Sequence, residues 1–259
     1  MTEIRVEGLV FGYGGDVVLK DLTVAFGEPG LICVLGPNGV GKTTFVKCIN
    51  RLLRPSSGTI LIDGKDIQTA KLKDLAQFMA YVPNTESTVF SMTVSEYILM
   101  GRHPHSGWST SERDLEIVDE AIDTLGLQEY ADRNINELSA GQMQRVMIAR
   151  GLAQEPRILI LDEPTSNLDV KYQMGVMRFL RRYAREKGIV VLMVCHDLNI
   201  TAAFADRVIL MYDGRIFADG DARSVLTADN IRQVYDIGAE IVEIGGTMHI
   251  ALLPEFDKE

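Results

Sequence analysis

The chain has 259 residues, of which 46% are hydrophobic and 24% charged, and its formal net charge at pH 7 is −10. These values are typical of a globular protein with a large core and one or two domains. The acidic balance argues against a nucleic-acid partner, since binding a phosphate backbone requires a basic face. No apolar run reaches the roughly 18 residues of a membrane span, and the N-terminus lacks a signal-peptide pattern, so we expect a cytoplasmic protein.

The first strand patterns are short and separated by turn signals, over residues 4–26 and 59–66. Asp63-Gly64 favours a tight hairpin, so we predict an antiparallel β-subdomain. A continuous apolar strand over residues 31–35 follows, and then a glycine-rich loop and a helix from Lys42 to Leu53, ended by Pro55. The three cysteines, Cys33, Cys48 and Cys195, show no C-x-x-C spacing, and we expect reduced, buried thiols.

Helical signals dominate from residue 85 to residue 151. Thr93 and Glu96 have the spacing of a capping box. We expect the next helix to end at Gly126 and to share an apolar face formed by Leu115, Val118, Ile122 and Leu125. Unbroken apolar strands over 158–161 and 189–195 flank a basic amphipathic helix from Val170 to Lys187, which is typical of a buried parallel sheet.

The predicted fold class is therefore α/β, with a parallel sheet, an antiparallel β-subdomain and an inserted helical subdomain. We expect one domain over residues 1–259. Residues 1–84 and 152–223 form its core with the β-subdomain, residues 85–151 form the helical subdomain, and residues 224–259 form a C-terminal helix and a hairpin about Gly245-Gly246.

The glycine-rich loop matches the phosphate-binding pattern G-x-x-x-x-G-K-[ST]. Glycines allow the backbone to approach phosphates, and the following helix directs its N-terminus at them. Lys42 is expected on the β- and γ-phosphates, and Thr43 on Mg²⁺. A chance match in a turn is disfavoured by the flanking strand and helix. The candidate phosphate-binding residues are Gly36, Asn38, Gly39, Gly41, Lys42, Thr43 and Thr44.

A carboxylate pair, Asp162-Glu163, ends the apolar strand that begins at Ile158. Open parallel sheets present their ligand sites at such strand ends. We expect Asp162 to hold Mg²⁺ through water and Glu163 to polarise the attacking water as a general base. The alternative is a structural acidic pair at the sheet edge.

A third segment is Leu138-Ser139-Ala140-Gly141-Gln142. Its S-x-x-Q spacing caps a helix, and taken alone it would be structural. Together with the phosphate loop and residues 158–163, it resembles the ATP-binding-cassette ATPases, over residues 4 to 219. Ala140 departs from the second glycine of that family's common pattern.

The resemblance implies ATP and Mg²⁺ as cofactors and a dimer in which two copies of the chain enclose two ATP molecules. Each ATP would meet Ser139, Gly141 and Gln142 of the opposite copy, where a helix N-terminus faces the γ-phosphate. By the same resemblance, Asp169 lies at the dimer interface and His196 contacts the γ-phosphate.

Two further positions are implied by the resemblance. Tyr13 matches an aromatic residue that stacks on adenine, although packing on the β-subdomain remains a rival interpretation. Asn84 stands where the family usually has a glutamine that reaches Mg²⁺. We expect Asn84 to keep that polar role through a bridging water or a shifted loop, at some cost in turnover.

Residues 90–105 resemble the helical subdomain of ATPases that energise iron-chelate, haem and cobalamin importers. The resemblance implies a membrane permease as partner, an external solute-binding protein that contacts the permease, and a peripheral position on the inner face of the cell membrane. His103 and His105 lack further metal ligands and are expected in a solvated loop. Trp108 is either an interface anchor or loop packing.

Other functions remain as alternatives. An ABC exporter ATPase would differ mainly in its membrane partner, and a non-transport cassette ATPase would need a coiled-coil insertion or a second cassette. A GTPase or kinase would lack the segment 138–142, and the sequence has no guanine-reading N-K-x-D motif. A purely regulatory module would be expected to lose Glu163, which is present.

Overall fold

The computed structural model describes residues 2–84, 91–105, 109–166 and 168–253. A four-stranded antiparallel sheet has the order β2-β1-β4-β5. Its strands are β1 (Ile4–Tyr13), β2 (Asp16–Phe26), β4 (Ser57–Ile62) and β5 (Lys65–Asp66). Asp63 and Gly64 both have positive φ, as the two-residue β4–β5 turn requires, so the predicted hairpin and antiparallel strands are confirmed.

The second sheet has six strands in the order β10-β9-β3-β8-β7-β6. They are β3 (Gly30–Leu35), β6 (Met79–Val82), β7 (Ile158–Asp162), β8 (Val190–Val194), β9 (Arg207–Tyr212) and β10 (Arg215–Gly220). All neighbours pair in parallel except β10, which is antiparallel to β9. The predicted α/β class is therefore confirmed, and the carboxyl ends of β3, β6, β7 and β8 meet at one edge.

Helix α1 (Lys42–Ile49) follows the phosphate loop, but the prediction that it extends to Leu53 is wrong. Arg51 adopts a φ of 57°, and the N–H groups of Leu52 and Leu53 donate to the carbonyl of Lys47. This left-handed turn stops the helix before Pro55 is reached. A short helix, α2 (Leu72–Ala76), precedes β6.

Between β6 and β7 the chain forms α3 (Val94–Leu99), α4 (Glu112–Thr124) and α5 (Ala140–Ala153). Each begins with a capping box, and the predicted box at Thr93 and Glu96 is present. The predicted apolar face of α4 is partly wrong, because Leu115 is 51% exposed whereas Ile117, Val118 and Ile122 are buried. Helix α5 continues past the expected boundary at residue 151.

The remaining elements are α6 (Val170–Lys187), α7 (Leu198–Phe204), α8 (Ala222–Val225), α9 (Ala228–Tyr235), β11 (Gly238–Ile244) and β12 (Thr247–Leu253). The bounds of α6 and the C-terminal hairpin agree with the prediction. Asn199 joins the hairpin to α7, since its amide exchanges two hydrogen bonds with the backbone of Ile250. In the part of the chain that the structure describes, no helix is long and apolar enough to cross a membrane.

The core has two parts, one on each face of the six-stranded sheet. Along β3, Leu31, Cys33 and Leu35 pack with the helices α3–α6, whereas Ile32 and Val34 pack with α1 and the antiparallel sheet. The alternation follows from the strand's period of two. All three cysteines are buried and free, as predicted.

Candidate functional site

The phosphate loop connects β3 to α1 in the expected strand–loop–helix order. Gly36 has a φ of 149°, and a Cβ atom there would lie 2.4 Å from the carbonyl oxygen of Met211. Gly41, with a φ of 104°, is the N-cap of α1 and contributes no side-chain cap. A glycine at both positions therefore leaves the first amide groups of α1 open to an anion.

Lys42 lies beneath this loop and is 5% exposed. Its Nζ donates to the carbonyl oxygens of Gly36, at 2.8 Å, and Pro37, at 2.9 Å. An ammonium group has three donors, so one remains for a phosphate oxygen. Burial lowers the pKa of Lys42 from its usual value, and the carboxylates of Glu163 and Asp162 oppose that effect.

Asp162 ends β7 and is 5% exposed. Thr43 Oγ1 donates to its Oδ1 at 2.8 Å, and Tyr81 Oη donates to its Oδ2 at 3.2 Å. Burial and the Asp162 carboxylate raise the pKa of Tyr81, so the phenol remains a donor. The structure thus brings together Thr43 and Asp162, two of the three residues expected at Mg²⁺. Their hydroxyl and carboxylate oxygens are the hard donors that this ion prefers.

Glu163 is held from two sides. Its Oε1 lies 2.5 Å from Nε2 of His196, and its Oε2 accepts a hydrogen bond of 3.1 Å from Nδ2 of Asn84. Glu163 has a φ of 52°, a left-handed conformation that is uncommon for a residue with a side chain. Such backbone strain is often found at functional sites.

Among the described residues, Asn84 donates its side-chain hydrogen bond to Glu163 rather than to Asp162. Its Oδ1 accepts from Ser166 Oγ at 3.0 Å, and the same hydroxyl reaches the carbonyl oxygen of Glu163 at 3.2 Å. Ser166 therefore fixes the amide so that its NH₂ group faces the carboxylate. The expected contact of Asn84 with Mg²⁺ remains a prediction.

The segment 138–142 forms the start of α5. Ser139 Oγ accepts from the N–H of Gln142 at 3.3 Å, and Gln142 Oε1 accepts from the N–H of Ser139 at 2.8 Å. A Cβ atom on Gly141 would lie 3.2 Å from Leu168, in the loop before α6. Asp169 caps α6 by accepting from the N–H of Tyr172 at 3.0 Å. Ser139 and Asp169 are both exposed, so both helix ends face solvent in a single copy.

A cleft of about 480 Å³ lies beside the phosphate loop, between β2 and the β9–β10 turn. Val17, Asn38, Gly39 and Tyr212 are among the residues that line it. Tyr13 projects near the end of β1, is 51% exposed and packs edge-on against Phe11 with ring centroids 4.8 Å apart. About half of Tyr13 is thus accessible to a ligand, while its ring also packs against the β-subdomain through Phe11.

The sequence predicts no role for Tyr81 or Ser166, although both contact residues of this site. Tyr81 reaches Asp162 because β6 pairs directly with β7, a neighbour relation that local patterns do not reveal. His105 Nε2 lies 2.8 Å from the carbonyl oxygen of Gln154, which ties its loop to the end of α5. Residues 90 and 108 and Asn167 lie outside the described residues.

Comparison with known proteins adds independent support. A protein-family model described as "ABC transporter" matches residues 19–166. An uncharacterized ABC transporter ATP-binding protein of Methanocaldococcus jannaschii is 41% identical over 94% of this chain and 95% of its own length. The iron(3+)-hydroxamate import ATP-binding protein of Bacillus subtilis is 39% identical over 93% of this chain and 91% of its own length. A solved inward-facing structure of a metal-chelate type ABC transporter superposes with a TM-score of 0.85 at 27% identity, covering 98% of both chains.

Proposed function

The chain belongs to the ABC transporter family as an ATP-binding subunit with ATPase activity, and from this premise we propose that it powers import of a metal chelate. The solute class is an iron chelate, haem or cobalamin. The observation that carries the proposal is the likeness, over nearly the full chain, to a hydroxamate import ATPase and to a metal-chelate type transporter. An exporter ATPase is the alternative.

In the proposed mechanism, the phosphate loop binds ATP through its amide groups and the third donor of Lys42. Thr43 and Asp162 would hold Mg²⁺, which when bound neutralises charge on the β- and γ-phosphate oxygens. Tyr81 holds the second oxygen of Asp162 and thereby orients the carboxylate. Tyr13 stacks on adenine from the end of β1.

Hydrolysis follows from the position of Glu163. A water molecule attacks the γ-phosphorus, its proton passes to the Glu163 carboxylate, and the bond to the β,γ-bridging oxygen breaks. His196 and Asn84 orient Glu163 through its two oxygens. His196 also contacts the γ-phosphate in this proposal.

The site is completed by a second copy of the chain. Ser139, Gly141 and Gln142 of that copy bind the γ-phosphate at the N-terminus of α5, and Asp169 lies at the interface. ATP binding favours the closed form of the dimer. Closure moves the helices α3–α5 against a membrane permease. An external protein delivers the solute to that permease. The chain then lies on the inner face of the cell membrane.

The test is uptake of a radiolabelled ferric hydroxamate by cells that lack the chain. We expect uptake to return with the wild-type gene and with Glu129→Gln, an exposed matched control, but not with Glu163→Gln. Affinity capture from gently solubilised membranes should recover a polytopic importer permease. Recovery of an exporter subunit, with no uptake defect, would contradict the import assignment.

A further inference from the structure

Tyr235 is the last residue of helix α9 and has no role in the site described above. The helix is fixed at both ends, because Thr227 caps its first turn and Asp236 closes it with a φ of 55°. Between them, Ile231 and Val234 are buried in the core that also contains the end of β3. Tyr235 packs against the same core, so its side chain has a defined position.

The hydroxyl group of Tyr235 is buried but makes no hydrogen bond. Its Oη has no partner among the described residues. An unpartnered buried hydroxyl is destabilising, whereas a phenylalanine of the same shape would fill the space without that cost. Packing of the ring alone therefore does not explain why the residue is a tyrosine.

A backbone N–H of the phosphate loop faces this oxygen. Burial raises the pKa of Tyr235 to about 12, while the N–H of Gly36 opposes that effect, as a donor directed at the oxygen does. The thiol of Cys195, which precedes His196 in the chain, also acts on the phenol. Tyr235 thus lies beside both the phosphate loop and the strand end that carries His196, but its contact with Gly36 falls short of a hydrogen bond.

Gly36 is connected directly to the groups expected to bind phosphate. Nζ of Lys42 donates to its carbonyl oxygen at 2.8 Å, and a Cβ atom at Gly36 would lie 2.4 Å from the carbonyl oxygen of Met211. Phosphate would engage the remaining donor of Lys42 and the amide groups that follow Gly36 in the loop. A movement of the loop toward phosphate therefore changes the position of Gly36 relative to Tyr235.

We propose that Tyr235 is a positioning residue for the phosphate loop, and that its hydroxyl accepts a hydrogen bond from the N–H of Gly36 in the arrangement of the loop that holds phosphate. Because the bond forms only in that arrangement, it contributes to nucleotide affinity rather than to the stability of the fold. The C-terminal segment, to which the sequence assigns no chemistry, thereby takes part in ATP binding. The inference rests on nucleotide binding at the phosphate loop and not on the solute or the direction of transport.

Tyr235→Phe removes only the hydroxyl, and isothermal titration of the full chain with ADP and Mg²⁺ measures the effect without hydrolysis. We expect the Kd for ADP to rise by about three- to tenfold, as the loss of one hydrogen bond predicts. The melting temperature without nucleotide should stay the same or rise, since the variant buries no unpartnered hydroxyl. A purely structural role predicts the opposite pattern, a lower melting temperature with an unchanged Kd.

Tyr183→Phe is the matched control. Tyr183 lies on α6 beside Ile189, at the amino end of β8 and so at the opposite edge of the sheet from the phosphate loop. Its substitution should leave the Kd for ADP at the wild-type value. Equal Kd values for the wild type and Tyr235→Phe would overturn the inference and leave the ATP site in place. A wild-type chain that bound no ADP would contradict the ATP site itself, so the two failures are distinguishable.

Discussion

Asp162 is almost fully buried, and both of its carboxylate oxygens have a donor. A buried carboxylate that lost one of these donors would bear much of the desolvation cost of that oxygen. Thr43 is part of the phosphate-loop motif, whereas Tyr81 comes from the adjacent strand. We therefore assign Tyr81 the role of a positioning residue, since its hydroxyl donates to the carboxylate that is proposed to hold Mg²⁺.

Tyr81→Phe removes only the phenolic donor. We expect the Mg²⁺ concentration for half-maximal ATPase activity to rise by up to about tenfold, because Asp162 is less well oriented. ATP binding in the presence of EDTA should not change. Tyr130→Phe, which removes a phenol far from the site, is the matched control. Identical Mg²⁺ titrations for the two variants would show that Tyr81 has no positioning role.

Ser166 contacts Asn84, and Asn84 contacts Glu163. We therefore predict that Ser166 acts on Glu163 through Asn84. Asn84→Ala deletes the donor to Oε2, so kcat should fall about tenfold with little change in the KM for ATP. Ser166→Ala should have a smaller effect in the same direction, because the amide remains but is less well oriented. Steady-state kinetics measure both, and Asn84→Gln should also alter turnover because its longer amide displaces one of the two contacts. Unchanged kcat in all three variants would make Asn84 a passive loop residue.

Ser139 has two roles in this account, since it caps helix α5 within its own chain and is proposed to face a γ-phosphate bound to the other copy. Locally, Ser139 and Gln142 satisfy each other's N–H groups. In the proposed dimer the same exposed helix end faces a γ-phosphate. A substitution that keeps the N-cap but adds a negative charge can therefore be compared with one that only removes the cap.

Ser139→Asp keeps an N-cap side chain but adds a negative charge, whereas Ser139→Ala loses the cap. We expect Ser139→Asp to unfold in urea at a midpoint close to that of the wild type but to lose ATPase activity, since the charge repels the phosphate. Ser139→Ala should be about 1 kcal/mol less stable and keep more activity than Ser139→Asp. The reverse order of activities would contradict a phosphate contact at this helix end.

The positions of helices were predicted correctly where a short sequence pattern is sufficient to define them. The capping box at Thr93 and the basic helix α6 both lie where predicted. The predictions were wrong where packing among several neighbouring elements determines where a helix ends or which of its residues are buried. Arg51 ends α1 through a left-handed conformation that its residue type does not announce, and Leu115 is exposed because α4 turns Ile117 to the core in its place.

The candidate site was predictable in part for a topological reason. The phosphate loop and Asp162-Glu163 follow strands of one parallel sheet, so a local motif and the strand-end rule suffice to expect them together. Strand order is a property of the whole sheet, and the pairing of β6 with β7 is what brings Tyr81 to Asp162. For the same reason the contact of Ser166 with Asn84, which lies after β6, could not be predicted from either segment alone.

In one copy of the chain the residues that we propose to bind ATP are divided between two places. Lys42, Thr43, Asp162 and Glu163 surround the phosphate loop, while Ser139 makes its hydrogen bonds within its own helix end and faces solvent. The composite site that we propose therefore needs a second copy, and ATP should act as the link between them.

The most direct measurement is light scattering of Glu163→Gln at a fixed protein concentration, with and without ATP and Mg²⁺. This variant should bind ATP but hydrolyse it very slowly, so the closed pair accumulates. We expect the scattering mass to change from that of one chain to that of two when ATP is added, and to return to one chain when Ser139→Asp is combined with it. A variant that binds ATP and remains at the mass of one chain would contradict the two-copy site.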